Sequence, residues 1–395
     1  MKFIINRIKY QYGVVDLFID IVKHELESKN HTVFEVDLGE NTMMESFFKI
    51  FSEHSIDCVI AFNAVGCDIK YNNQSLYDVF NTNFLAILVD HPAHHIGRVI
   101  HPIKNYMISV IDKSHVKYIS EILPHSHKLN FFLPHGGFEN KQYKIRNLKE
   151  YNKQKNIDLL FTGSCFNKPV KPWEDLPKTY PLQLFDDICD LLIHDEYISV
   201  NEAYDVVFNK ANIKLSTVSK AQMSGMIARI ITYVRQYKRD LVLEKIFKSG
   251  INITICGRGW EDRVKAYDNV NYIGAIDVQE SIELMSKAKI VINCNPNFTQ
   301  GSHERVFTGM LNHAVVFTDR SSYFDEFYND KDSLLYYSID SIDNDILTLK
   351  EYIQNSSLLF DISSKAYNIT YKNHLWKNRV KQIEEMVNLS NLIDL

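Results

Sequence analysis

At 395 residues, 45% of them hydrophobic and 24% charged, the chain has the composition of a soluble globular protein long enough for two or three domains. Lys and Arg total 44 against 49 Asp and Glu, a net charge of −5, which argues against a nucleic-acid partner but permits one local basic pocket. The six cysteines, Cys58, Cys67, Cys165, Cys189, Cys256 and Cys294, form no C-x-x-C pair, so no zinc knuckle or redox motif is written here and buried reduced thiols are predicted.

From the N-terminus, residues 1–6 turn polar too early for a signal peptide, and no window approaches ~18 uncharged apolar residues. The expected setting is cytoplasmic. Residues 2–6 form a short apolar run that leads into a polar loop containing Gly13. Val15, Phe18, Val22 and Leu26 then recur at helical spacing. The alternation at 32–37 predicts a strand, 43–53 a helix, and 58–62 a buried strand. Further strands are predicted at 84–90, 107–111 and 129–133, the last followed by Pro134-His-Gly-Gly137. Short apolar strands alternating with amphipathic helices predict an α/β, Rossmann-like domain over 1–140. No G-x-G-x-x-G follows the first strand, which disfavours a standard NAD site there. The polar segment 141–156 reads as a linker.

A second series begins at the strand 157–162, which runs into Gly163-Ser164. Residues 182–250 are mostly helical in pattern, with Ser219 and Gln222 at capping-box spacing and Gly250 as the stop. Then come a strand at 251–256, the loop Gly257-Arg-Gly-Trp260, a short strand at 270–273, and a helix opened by Asp277 and Glu280. A strand at 289–293, a loop from Pro296 to Ser302, a short helix at 303–312 and a strand at 314–318 follow. The last helix is read at 375–390. This gives a second Rossmann-like domain over 157–372, with a helical insertion near 170–250. Residues 373–395 form a C-terminal helix placed to pack back on the first domain. Two such domains facing a cleft would bind ligand at the C-terminal ends of their strands.

The order of these elements resembles GT-B glycosyltransferases, in particular the CgeB-like, "glycosyl transferases group 1" branch. The matching residues are 158–164, Lys238-Arg-Asp-Leu241, Cys256-Gly-Arg-Gly-Trp260, 272–275 and the stretch 301–320. The resemblance covers 157–330 in sequence, and the N-terminal half in architecture alone. It implies a GT-B fold whose C-terminal domain holds a nucleotide-sugar such as a UDP-sugar as co-substrate, with no bound cofactor and no metal. It also implies transfer to an acceptor hydroxyl in bacterial-type glycan or glycoprotein synthesis. The acceptor would be a glycan, a lipid-linked saccharide or a protein, and peripheral membrane association would fit. Where the family pattern has an acidic residue, this chain has Thr308, with Glu304 one turn earlier on the same helix face.

Under that resemblance a diphosphate would be met by open backbone N–H groups and by arginines. Gly301, Ser302, His303 and Arg305 are candidates at the start of the short helix, Gly163 and Ser164 after the first strand, and Arg258 between two glycines. Trp260 would flank the base or pack the loop, and Glu304 would accept ribose hydroxyls or serve the helix dipole. In the first domain, Asp90-His-Pro-Ala-His-His95 follows a strand, so His91 or Asp90 is the candidate general base. His94, His95, His135 and Gly136 are acceptor-side or hinge candidates. The same histidines read equally as a polar loop capping backbone groups. The alternatives to a transferase are a non-catalytic nucleotide- or partner-binding protein, or a sugar-nucleotide epimerase or hydrolase on the same scaffold.

Overall fold

In the computed structural model, residues 1–9, 13–124, 127–165, 169–177, 181–295 and 297–393 are described; Tyr10 to Tyr12 and Pro296 lie outside them. The first sheet contains β1 (Lys2–Arg7), β2 (Thr32–Asp37), β3 (Cys58–Phe62), β6 (Asn83–Ile87), β7 (Tyr106–Val110) and β8 (Leu129–Phe132); the hairpin β4 (Lys70–Tyr71) and β5 (Gln74–Ser75) stands apart. Its order is β2-β1-β3-β6-β7-β8, parallel throughout. The central strands β3, β6 and β7 are buried on both faces, which is why they read as unbroken apolar runs rather than alternations.

The second sheet contains β9 (Ile157–Thr162), β10 (Ile253–Cys256), β11 (Val270–Tyr272), β12 (Ala288–Ile292), β13 (Val315–Thr318) and β14 (Leu335–Tyr336). Its order is β11-β10-β9-β12-β13-β14, also parallel. The chain order therefore reverses between β9 and β12. In doubly wound sheets that reversal opens a crevice beyond the carboxyl ends of the two strands, where ligands bind. The strands β9 and β10 are separated by four helices: Leu182–His194, Val200–Lys210, Thr217–Gln222 and Ser224–Ser249.

The chain divides into two compact units. Unit 1 comprises Met1–His135, Leu215–Ala228 and the residues from Trp376 onward, and unit 2 comprises Gly136–Lys214 and Arg229–Leu375. Within unit 1, the helix Trp376–Ile393 packs Trp376 against Phe18 (ring centroids 4.9 Å) and Phe62 (6.5 Å). Near its other end, Ser390 Oγ donates to Asn83 Oδ1 at 2.8 Å and Asn83 Nδ2 donates to Asn391 Oδ1 at 2.8 Å. Residues of the inserted stretch join the same unit through Tyr118, whose hydroxyl donates to Ser224 Oγ at 2.6 Å, and through a Lys220–Glu121 ion pair at 3.0 Å.

Two local readings are corrected. The segment 141–156 is no free linker: it carries the helix Leu148–Gln154, and Tyr151 is buried in the core of unit 2. Its polar residues face water, while Lys155, also buried, donates from Nζ to the carbonyls of Asn312 (2.7 Å) and Met285 (3.3 Å). Those carbonyls end two helices, where a cation is favoured. Nor do Ser219 and Gln222 form a capping box. Ser216 caps that short helix by accepting the Ser219 N–H at 3.1 Å, and a complete box in this stretch is formed by Ser199 with Glu202.

Candidate functional site

Beyond the carboxyl ends of β9 and β12, unit 2 gathers buried cations. The helix Glu304–Leu311 begins here, with His303 as its cap: Nδ1 of His303 accepts the Arg305 N–H at 3.3 Å. Arg305 is buried, donates from Nε to Thr162 Oγ1 (3.0 Å) at the end of β9, and from Nη1 to Asn293 Oδ1 (3.2 Å) just past β12. Arg239, on the helix Ser224–Ser249, donates from Nη1 to Ser164 O at 2.7 Å. Both guanidiniums lie against the Phe161 ring, each 5.5 Å from its centroid.

Among the described residues, no carboxylate forms an ion pair with Arg239 or Arg305. The groups acting on Arg239 are Cys294, Arg305, Arg235 and Cys165; on Arg305, Glu304 is the carboxylate that acts among the described residues. Burial lowers both guanidiniums from the usual arginine range, Arg239 to about 10, with Arg305 and Arg235 adding repulsion. The Nε atoms of Arg235 and Arg239 are buried and have no hydrogen-bond partner among the described residues. A buried donor without a partner is costly, so this arrangement suits an anion that supplies the missing acceptors.

The other candidates in unit 2 have distinct places. Gly163 leaves room for the cluster: a Cβ there would lie 3.0 Å from the Phe161 ring and 3.7 Å from Arg305 Nη2. The Gly257–Trp260 loop grips this turn. A Cβ on Gly257 (φ +129°) would meet Gly163 O at 2.4 Å, and one on Gly259 (φ +84°) would meet Cys165 O at 2.3 Å. Cys165 N–H donates to Arg258 O at 2.8 Å, and Arg258 N–H to Ser164 Oγ at 3.3 Å. Trp260 is buried and its indole N–H donates to Gly163 O at 2.8 Å, so it packs the loop rather than offering a face to a base. Arg258 itself is exposed. Ser302 is buried with its hydroxyl turned to His303 O at 3.0 Å, while Gly301 O accepts from Ser321 Oγ at 2.8 Å. Glu304 pairs with His303, whose imidazole is lowered by burial against the pull of that carboxylate. Thr308 is buried, and its Oγ1 accepts the Phe138 N–H at 3.3 Å.

The histidine loop belongs to unit 1. His91 is buried, and its Nδ1 accepts the Ala93 N–H at 3.1 Å, capping the 3-10 turn Pro92–His95. Its ring meets His115 (centroids 4.3 Å) and Tyr118 (4.8 Å). Burial, reinforced by neighbouring His115, His94 and His95, lowers His91 well below the usual histidine range. A neutral imidazole that accepts at Nδ1 carries its proton on Nε2, so His91 is set up to donate there. Asp90 is half-exposed, with His95 Nε2 3.8 Å from its carboxylate, and His94 is exposed. His135 is buried against Phe18 (5.3 Å), its carbonyl accepts from Arg379 Nε at 3.1 Å, and Gly136 begins unit 2. Among the described residues no three His, Cys, Asp or Glu side chains cluster as metal ligands.

Sequence reasoning missed Arg239 and Arg235. Arg239 stands in Lys238-Arg-Asp-Leu241, among the residues that carry the resemblance, but the sequence gives no role to it or to Arg235, one turn earlier on the same 26-residue helix.

Residues 235–385 match the family model described as Glycosyl transferase-like. A search of curated proteins finds no match. Solved structures align over nearly the whole chain. Anabaena Alr3699/HepE in complex with UDP and glucose has 11% identity and a TM-score of 0.54, over 98% of this chain and 99% of that one. Sucrose-phosphate synthase from Thermosynechococcus elongatus has 9% identity and a TM-score of 0.55, over 98% of each chain. AviGT4, a glycosyltransferase involved in Avilamycin A biosynthesis, has 10% identity and a TM-score of 0.50, over 98% of this chain and 97% of that one. At these identities the likeness is one of fold. The chain has the two-domain GT-B fold, and within it residues 235–385 are similar to the glycosyl transferase-like family.

Proposed function

We propose that the protein transfers a sugar from a nucleoside-diphosphate sugar, with UDP-sugars the first candidates, to an acceptor hydroxyl in glycan or glycoprotein synthesis. The observation that carries this reading is the pair Arg239 and Arg305 against Phe161, with Arg239 Nε buried and unpartnered among the described residues, beyond the strand ends where the sheet order reverses. Two fixed guanidiniums beside a helix N-terminus match the charge that develops on a departing diphosphate. Glu304, one turn into the site, is the candidate for the ribose hydroxyls, and Arg258 can close over the phosphates from its exposed loop.

In the transfer, the acceptor oxygen bonds to the anomeric carbon as the bond from that carbon to the diphosphate oxygen breaks. The acceptor proton passes to a base. Because His91 Nδ1 is already used, we assign the proton to Asp90 and give His91 Nε2–H the role of orienting the acceptor. The reading sends no step through a metal. Acceptors are glycans, lipid-linked saccharides or proteins on the cytoplasmic side, with peripheral membrane attachment where the acceptor is lipid-linked. No helix among the described residues is long and apolar enough to cross a membrane.

Calorimetry with UDP-glucose, GDP-mannose, CMP-sialic acid and dTDP-glucose tests the donor half. Binding of at least one nucleoside-diphosphate sugar is expected, with little response to the monophosphate donor; no binding by any of them would overturn the reading. A second reading, nucleotide binding without transfer, is favoured by Thr308, whose hydroxyl is turned onto the backbone where the family pattern has an acid. Product analysis with and without acceptor separates the two.

A further inference from the structure

The turn that ends β13 grips the loop between β12 and the helix Glu304–Leu311 at several points. Thr318 Oγ1 accepts from Asn293 Nδ2 at 2.9 Å. Asp319 Oδ1 accepts the Asn295 N–H at 2.8 Å. Ser322 N–H donates to Thr299 O at 2.9 Å, and Ser321 Oγ donates to Gly301 O at 2.8 Å. The gripped residues, Asn293 to Asn295 and Asn297 to Ser302, supply the Asn293 amide that holds Arg305 and lead into the helix that carries it.

Within that grip one member is charged. Asp319 is 6% exposed, and a carboxylate so deeply placed needs compensation. It comes from Lys238, also 6% exposed, on the helix Ser224–Ser249. The other titratable groups around Asp319 are Glu196, which pairs with Arg320 at 3.4 Å, together with Cys294 and Tyr337. Tyr337 donates its hydroxyl to Asn293 O at 2.9 Å, so it too bears on the loop. Lys238 sits one residue before Arg239 and plays a separate part: Arg239 contacts Ser164 and Phe161, whereas Lys238 acts on Asp319 through its charge.

We propose that Asp319, compensated by Lys238, is a positioning residue that latches Asn293–Asn295 at the end of β12 so that Arg305, held by Asn293, is presented to the donor. The inference rests on reading Arg239 and Arg305 as the diphosphate site. The latch is a charge-assisted hydrogen bond, about twice as strong as a neutral one, and it weakens when the carboxylate takes a proton. Burial raises Asp319 to about 6, opposed by Lys238 and the Asn295 N–H, so the weakening falls between neutral and mildly acidic pH.

Hydrogen–deuterium exchange of the free full-length protein, followed on peptides covering 293–302, tests the latch without any ligand. Asp319→Ala is expected to speed exchange of this loop at least tenfold at pH 7.5. Because a lone buried Lys238 could itself disturb folding, Lys238→Met/Asp319→Ala removes both charges and should show the same fast loop with a native melting transition. Lys238→Met/Asp319→Asn keeps a neutral acceptor and should slow exchange part of the way, to an intermediate rate that does not change between pH 7.5 and 5.5. UDP-glucose, a diphosphate diester whose charge is constant over this range, gives the functional arm. Wild-type affinity should fall several-fold from pH 7.5 to 5.5, and that fall should vanish in Lys238→Met/Asp319→Asn. Unchanged loop exchange in the folded alanine variants, or an undiminished pH dependence in the asparagine variant, would overturn the proposal. If wild type binds no UDP-glucose at any pH while the exchange results come out as expected, the latch stands and the donor-site reading fails.

Discussion

The two units bury their basic side chains in opposite ways. In unit 1, His91 and His115 lie inside an aromatic cluster with Tyr118, both held below the usual histidine range, and His91 spends its Nδ1 on the turn it caps. In unit 2, Arg239 and Arg305 keep their charge inside the fold, with Nε of Arg239 unpartnered among the described residues. The histidines catch the eye in the sequence because four stand within residues 91–101, yet the structure spends much of that chemistry internally. The arginines, spaced 66 residues apart, meet backbone and neutral side-chain acceptors, and Arg239 keeps a buried donor unused among the described residues. Uncompensated charge, more than a clustering of reactive residue types, marks where a ligand belongs.

The largest effect that would break this comparison concerns the arginines. Arg305→Met and Arg239→Met keep the stem against Phe161 and remove the charge. Each should weaken UDP-glucose binding by about tenfold or more, and the double variant by about a hundredfold, as measured by calorimetry. Melting temperatures should change little, since the lost hydrogen bonds to Ser164, Thr162 and Asn293 are offset by removal of a desolvated charge. A fall in stability with unchanged affinity would make these arginines structural and erase the contrast with the histidines.

Next comes acid sensitivity of unit 1. Burial lowers His115 to about 4, and His91 lies below its ordinary range for the same reason. Between the ordinary histidine value, ~6.5, and these depressed values, the unfolded chain binds protons that the folded unit refuses. Their contribution is therefore complete above pH 6.5 and is lost as the pH falls. For His115 alone the loss approaches about 3 kcal/mol by pH 4. Urea midpoints compared at pH 7.5 and 5 should show it, and His115→Gln should flatten the slope even if its starting stability is lower.

The smallest expected effect sharpens the picture of the arginine site. Trp260→Phe keeps most of the packing but loses the N–H to Gly163 O, a bond worth about 1 kcal/mol. UDP-glucose affinity should drop several-fold with the melting temperature little changed. An unaffected affinity would show that the Gly163–Ser164 turn does not depend on this clamp.

Much of the fold was legible because its strands announce themselves. The apolar runs at 58–62, 84–90 and 157–162 fall on β3, β6 and β9, and the Asp277–Glu280 capping box forms as read. The two-residue strand β14 was not legible, since Leu335–Tyr336 is too short to show a period. The helix Ile342–Gln354 was readable and was passed over: Ile342, Ile346, Leu349 and Ile353 keep helical spacing and are its buried face. The site divided along another line. Arg305 could be named because it opens a short helix after Gly-Ser. The partners of Gly257 and Gly259 lie in the 163–165 turn, over 90 residues earlier in the chain, and nothing local announces that contact. Trp260 belongs with them, because its indole is spent on the same turn.

The three-part make-up of unit 1 bears on how the protein comes off the ribosome. Residues 1–135 are synthesised first, yet Trp376, which covers Phe18 and Phe62, and Ser390 and Asn391, which satisfy Asn83, are made near the end. All of unit 2 has been translated by residue 375. The unit begun first is thus the last able to close. Until its final helix arrives it carries an open apolar face, and of the two units it is the one whose nascent form has most need of a chaperone.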